Sequence, residues 1–352
     1  MTNGFPPYQN GYGSGSGGWP QNSPFSPQVP YWETPEWQEK KKIRHTSNVL
    51  GWANFAVQAL MVGLSLLFSR FLLMVGYPFS GDYMSSAGMT PTMYYLLFSA
   101  VYIIAVALPF LLCVRFMHLP VNETFRFEKV GAGTSILLVL FGAGFCMFTN
   151  IPANIIAIFL QESGVSGPMP DIVSAETPFA IILSAIQIAV IPPLVEELAF
   201  RGVILSQLRK FGDGFAVLGS ALLFAFYHGN LMQFAFTFLV GLILAFIMVR
   251  TNNLWIPIVI HAINNGVSLL FDLVGSYISD AAYQTLNEVI FYGLILLGIV
   301  SLVLLVRRNR GFFRRRYVAG LLPFSTRMWA FVSNPGFVAF FVFFLFSCIG
   351  NA

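Results

Sequence analysis

The chain has 352 residues, of which 56% are hydrophobic and only 10% charged, and its mean hydropathy is +0.72. A soluble domain would carry roughly a quarter charged residues, so a water-solvated globular protein is excluded and lipid must cover much of the surface. The net charge of +4 does not point to nucleic acid, because the basic residues are spread over the ends of apolar segments, where membrane topology accounts for them.

Residues 1–48 are rich in Gly, Pro, Ser, Asn, Gln and aromatic residues. Such a segment buries too little apolar surface to offset chain entropy and is expected to be a disordered tail. No apolar stretch follows Met1, so it does not read as a signal peptide. It ends in Lys40, Lys41, Lys42 and Arg44. Apolar segments then fall at about 49–77, 93–117, 134–160, 178–198, 213–229, 231–250, 254–275, 289–306 and 329–349, most of them near the roughly 20 residues that cross a bilayer. Pro335 divides the last. The expected fold is an all-α polytopic membrane protein of about 8–9 transmembrane helices. Its parts are the tail, N-terminal helices over 49–177, a core over 178–271 and C-terminal helices over 272–352. Cys113, Cys146 and Cys348 lie inside apolar runs without metal-type spacing and read as small hydrophobes.

The basic residues orient this arrangement. With a cytoplasmic N-terminus in a cell membrane, 18 of the 19 Lys and Arg residues fall on the inner side, at 40–44, 115–129, 201–210, 250 and 307–327. The expected outer loops 78–92, 161–177 and 276–288 hold none. Arg70 is the exception, placed to snorkel outward or to pair internally.

Ionisable residues within membrane segments are functional candidates by default. Here Glu196, Glu197 and Arg201 follow Pro192-Pro193, His228 closes the fifth segment, and His261 and Asn265 lie in the seventh. Around Gly212 as the pivot of a helical hairpin, Glu196 lies 16 residues before and His228 16 after. Both then sit about 24 Å from the turn, at matching depth. His261 and Asn265, four apart, share a helix face, and Glu197 and Arg201 have the spacing of an ion pair. Arg201 would hold Glu197 ionised, leaving Glu196 to face a cavity and take a proton from water. His228 would orient that water, and His261 and Asn265 would stabilise an oxyanion. The prolines would kink the fourth helix at a place where a cavity receives the freed backbone. One membrane Glu–Arg pair or one terminal His is more often structural. Their convergence on three helices favours a site, because each unpaired polar group costs stability.

Three motifs carry a resemblance: Glu196-Glu197-Leu198-Ala199-Phe200-Arg201, Phe224-Ala225-Phe226-Tyr227-His228 and His261-Ala262-Ile263-Asn264-Asn265. In this order they are similar to the Glu-Glu-x-x-x-Arg, Phe-x-x-x-His and His-x-x-x-Asn motifs of the CAAX-prenyl-protease and bacteriocin-processing (CPBP, or Abi) intramembrane endopeptidases. The resemblance spans about 178–271. It implies a helical fold around a conical cavity and hydrolysis of membrane-associated proteins or peptides. Glu196 would be the general base, supported by Glu197 and Arg201, with His228, His261 and Asn265 binding the water or the oxyanion. Bacterial relatives act in bacteriocin maturation or immunity, and the tail looks bacterial, which disfavours prenylated substrates. The His-Glu-x-x-His zinc signature is absent. Glu196, His228 and His261 could still supply three Zn2+ ligands with water as the fourth, although the wide ligand spacing favours a metal-free site. Two further readings compete: a proton-coupled transporter, against which the lack of an internal repeat weighs, and a non-catalytic scaffold or bacteriocin-immunity protein.

Overall fold

The computed structural model describes residues 30–76, 90–164, 177–275, 277–313 and 320–350. The expected tail up to residue 29 and the tips of the first two expected outer loops lie outside these residues.

A repeated start signal sets three long helices. Thr34, Thr90 and Thr177 each precede a proline, and each threonine hydroxyl accepts a hydrogen bond from the backbone N–H three residues on, at 3.4, 3.3 and 3.2 Å. The proline occupies the first helical position, where no N–H is needed. These caps open α1 (Pro35–Met74), α2 (Pro91–Phe116) and, after α3 (Ala132–Glu162), the compound helix α4 (Pro178–Phe211). The first helix therefore begins 14 residues ahead of the expected segment start at 49. Its polar opening turns are helical because they carry a cap and good helix formers, so the expected tail boundary at 48 is corrected to the Thr34 cap.

α5 (Asp213–Tyr227), α6 (Leu231–Thr251), α7 (Trp255–Gly275) and α8 (Asp280–Arg308) follow. Gly212, at φ +117°, turns the chain between α4 and α5, as expected for the hairpin pivot. Gly229 at φ +62° and an Asn230 cap make the tight turn into α6. The last segment forms α9 (Phe324–Val332) and α10 (Pro335–Gly350), bent by 69°. Pro335 disfavours helix at Asn334, whose Oδ1 instead caps the Phe337 N–H at 3.0 Å. Nine expected segments thus form helices. Among the described residues seven are long and apolar enough to cross a membrane, and the bent pair would make an eighth. The fifth, at 15 residues, is too short and is buried along most of its length, as befits a core helix. The fold is all-α and multi-pass. Its one extended pairing among the described residues is an isolated bridge between Phe127 and Asn253, which ties the loop after α2 to the turn before α7.

Among the described residues two large apolar cores flank the interior, and a small third cluster joins Tyr95 of α2 to Ala180 of α4. One joins α1, α2, α4, α5 and α10 through residues such as Val57, Phe110, Phe200, Phe224 and Phe340. The other joins α3, α6, α7 and α8 through Leu138, Leu244, Ile260 and Leu305. Close helix crossings rely on glycine. A Cβ on Gly51 would lie 2.3 Å from the Gly336 carbonyl carbon, and one on Gly144 would lie 2.5 Å from the Leu294 oxygen. Such small-residue contacts let membrane helices pack without a hydrophobic driving force between them. Outward, Leu67, Met74, Phe116, Phe159 and Leu296 are exposed, as suits lipid-facing positions. Arg70 is exposed on α1, so the internal pairing considered for it does not form among the described residues.

Candidate active site

Local backbone chemistry opens the interior at α4. Residues Ile186–Val190 form one π-helical turn and Leu198–Ile204 a second. The carbonyl of Ile188 is the reason a partner is needed between them. Its α-helical donor would be residue 192 and its π-helical donor residue 193, and both are proline, without an N–H. Asn265 Nδ2, from α7, donates to it at 3.0 Å. The asparagine expected to face an oxyanion therefore gives its amide to the proline break. Replacing it with alanine is expected to leave the Ile188 oxygen unpaired and to lower stability by about 1–3 kcal/mol. Thermal unfolding in detergent would read that loss, and a serine variant should recover part of it.

Below the break, Glu197 and Arg201 are fully buried and paired, with Nη1 2.8 Å from Oε1. Arg201 Nη2 also donates to the Gly241 carbonyl on α6 at 3.3 Å, and its guanidinium lies 4.3 Å over the Phe224 ring. Phe224 opens the Phe-x-x-x-His motif, and its ring is thus a support for the arginine. The same Glu197 oxygen lies 2.9 Å from His261 Nδ1. A carboxylate only accepts, so Nδ1 carries the proton and donates, which leaves Nε2 turned away from Glu197.

His228 is pinned in the same sense. Its Nδ1 is 2.8 Å from the Phe224 carbonyl, an acceptor only, so again Nδ1–H donates and Nε2 is left for other contacts. Both imidazoles thus have one nitrogen tied down and the other presented, the arrangement that fixes tautomer and ring orientation.

Glu196, 4% exposed, makes a different set of contacts. Its Oε1 accepts from the Tyr102 hydroxyl of α2, which in turn accepts from Tyr227 at 2.9 Å. Its Oε2 has no hydrogen-bond partner and stands 3.9 Å from His261 Nε2. A single water at about 2.8 Å from each would bridge that gap. Glu196, His228, His261 and Asn265 line one cavity of about 580 Å3, together with the amides of Asn150, Asn154, Gln187 and Gln233. Glu197 and Arg201 lie behind it. All six residues singled out in the sequence are gathered at one place, four on the cavity wall and two supporting it.

Tyr102 and Tyr227 belong to the site without a motif in the sequence that marks them. Tyr227 adjoins His228 and could have been flagged by that neighbour. Tyr102 lies in an apolar helix with no motif around it, and only tertiary packing reveals it. The donor types for a zinc are present in Glu196, His228 and His261. Yet among the described residues no three His, Cys, Asp or Glu side chains are grouped closely enough to hold a metal ion. Glu196, His228 and His261 as placed here therefore do not fit a zinc site.

Comparison with known proteins agrees with the motifs. Residues 178–267 match the family described as "Type II CAAX prenyl endopeptidase Rce1-like". The chain is 29% identical over 171 residues to the Bacillus subtilis protein named "Putative membrane peptidase YdiL", covering 46% of this chain and 68% of that one. It is 30% identical over 107 residues to "Membrane-embedded CAAX protease MroQ" of Staphylococcus aureus, covering 28% and 43%. An "Uncharacterized 24.3 kDa protein" of Escherichia coli is 34% identical over 97 residues, covering 26% and 45%. The matches thus span about two thirds of the first of these relatives and less than half of the other two. No solved structure matches.

Proposed function

We propose that this multi-pass membrane protein, whose residues 178–267 match the Rce1-like CAAX endopeptidase family, hydrolyses a peptide bond of a membrane-associated protein or peptide with water activated by Glu196. The observation that carries the reading is the asymmetry of the Glu196 carboxylate. Tyr102 holds Oε1, while Oε2, buried and without a hydrogen-bond partner, lies beside His261 at the cavity wall. A carboxylate held by one oxygen and free at the other is oriented for proton transfer.

In the reaction, a water between Glu196 Oε2 and the two imidazoles loses a proton to Oε2. Its oxygen attacks the substrate carbonyl, forming a C–O bond and a tetrahedral oxyanion. His228 Nε2, an acceptor in the tautomer fixed by Phe224, orients the water. His261 Nε2 donates to the oxyanion when the imidazole carries its second proton, whose charge Glu197 stabilises from behind. Collapse breaks the C–N bond, and Glu196 returns its proton to the leaving amine. Arg201 keeps Glu197 an acceptor, and Asn265 holds the proline break that aims Glu196. Both are positioning residues. The carboxamides of Asn150, Asn154, Gln187 and Gln233 suit an extended peptide backbone, whose N–H and C=O groups need partners at membrane depth. The charge distribution supports a cytoplasmic N-terminus.

Purified protein reconstituted in bilayers should cut membrane-associated peptides. Cleavage that survives both Glu196→Gln and His228→Ala would reject the mechanism. Tyr102→Phe removes one hydrogen bond to a charged group, for which about 1.5–3 kcal/mol is usual. It is expected to lower kcat by roughly 10- to 100-fold with little change in KM. A change confined to KM would instead place Tyr102 in substrate binding.

A further inference from the structure

The basic run at 40–45 has no part in the chemistry at Glu196, yet it is folded around a cavity. Trp37, Lys41, Arg44, His45 and Asn48 recur at three- and four-residue spacing on α1 and so share one face. With Lys40 they border a cavity of about 500 Å3, closed on its far side by Asn334 and Pro335 at the elbow between α9 and α10. Its volume is in the range of small-ligand sites. Lys42 points to another side of the helix and is not part of the wall.

Among the described residues the charge of this wall is uncompensated. No carboxylate of the described residues lines the cavity. Arg44 Nη2 donates to the Ser333 carbonyl at 3.2 Å, and Lys41 Nζ rests 5.1 Å from the centre of the Trp37 ring, both neutral partners. Among the described residues neither of them, nor Lys40, makes an ion pair. The chain before Glu33 contains no Asp or Glu, and the segment 314–319 is Arg-Arg-Arg-Tyr-Val-Ala. Neither stretch can supply the missing negative charge. Of the nearby acids, Glu33 and Glu36 lie off the wall, and Glu39 Oε2 accepts from the Leu322 N–H at 2.8 Å. Three cations on one concave surface repel one another, and an anion seated among them relieves that repulsion.

α1 is also long enough to reach beyond the hydrocarbon. Its 40 residues extend about 60 Å against a core of about 30 Å. The cavity belongs to its polar end, ahead of the first long apolar stretch. We infer that it binds a phosphate-bearing anion, with Lys40, Lys41 and Arg44 neutralising the phosphate and Trp37 covering the groups attached to it. A phospholipid headgroup and a free phosphate share that chemistry.

The test uses the full-length protein in detergent. Phosphatidylglycerol or phosphatidylcholine is added with and without millimolar inorganic phosphate, and native mass spectrometry counts the lipid retained. Phosphatidylglycerol should be retained over phosphatidylcholine. Lys41→Gln should weaken retention roughly fivefold, and Lys40→Gln with Lys41→Gln and Arg44→Gln should remove it. Lys42→Gln, the same charge loss off the cavity wall, should leave retention unchanged. Competition by inorganic phosphate would identify the phosphate group itself as the recognised unit, and persistence of the lipid would assign the site to the headgroup. Equal retention of the two lipids without displacement by phosphate would overturn the proposal, as would equal loss in Lys41→Gln and Lys42→Gln. The single variants alter exposed side chains, so an unchanged melting point can be verified beside each result. Peptide cleavage is not read, so the outcome is independent of the reaction assigned to Glu196.

Discussion

Glu196→Gln is expected to reduce peptide cleavage on the order of 10²- to 10⁴-fold while leaving the fold intact. The amide oxygen of glutamine can still accept from Tyr102, so the α2–α4 contact is kept. What is lost is the basic oxygen at the cavity wall, where Glu196 Oε2 is buried without a hydrogen-bond partner. An amide there cannot take a proton from water. The loss should therefore fall on kcat rather than on substrate capture, and single-turnover kinetics on reconstituted protein separate the two. Activity within tenfold of the wild type would show that the proton goes elsewhere.

Arg201→Met should cost about 3–5 kcal/mol of stability, because it leaves the Glu197 carboxylate fully buried without its cation. Methionine fills part of the volume over Phe224 but leaves the Gly241 carbonyl without its side-chain donor. Adding Glu197→Gln removes the stranded charge, and the double variant should recover much of the loss. Peptide cleavage should not recover with it, since His261 would then face a neutral amide in place of a carboxylate. Denaturant unfolding of the two singles and the double measures the coupling directly. If the double variant is as unstable as Arg201→Met alone, the pair is not the unit described here.

The fold was legible where physics is local. Apolar runs of bilayer length, Gly212 at a hairpin pivot and Pro335 at a break each act within a few residues, and a helix formed at each expected segment, although α8 opens at Asp280, nine residues ahead of its apolar run. The first helix boundary was not, because the composition of 35–48 is polar, while the Thr34 cap and Pro35 that start the helix are only two residues long. Length alone distinguished α5 as a core helix, and the flanking Gly212 and Gly229 that shorten it were visible in the sequence but did not weigh against its apolar run.

The gathering of the site was legible through spacing. Glu197 and Arg201 are four residues apart on one helix, and the hairpin count put Glu196 and His228 at one depth. Contacts across distant helices were not. Tyr102 lies 94 residues before Glu196, in a helix whose pattern gives no sign of it. The contact of Asn265 with Ile188 follows from two adjacent prolines that silence both possible backbone donors. The contact follows from the sequence only once the π-turn ahead of the prolines is known.

The most direct test of Glu196 as the base of a peptide hydrolysis is to capture substrate on the Glu196→Gln protein in native membranes. The captured polypeptide is identified by mass spectrometry and then offered to the wild type and to the variant. A base at Glu196 predicts one new terminus with the wild type and intact polypeptide with the variant. Cleavage at the same bond by both proteins, or by neither, would contradict it.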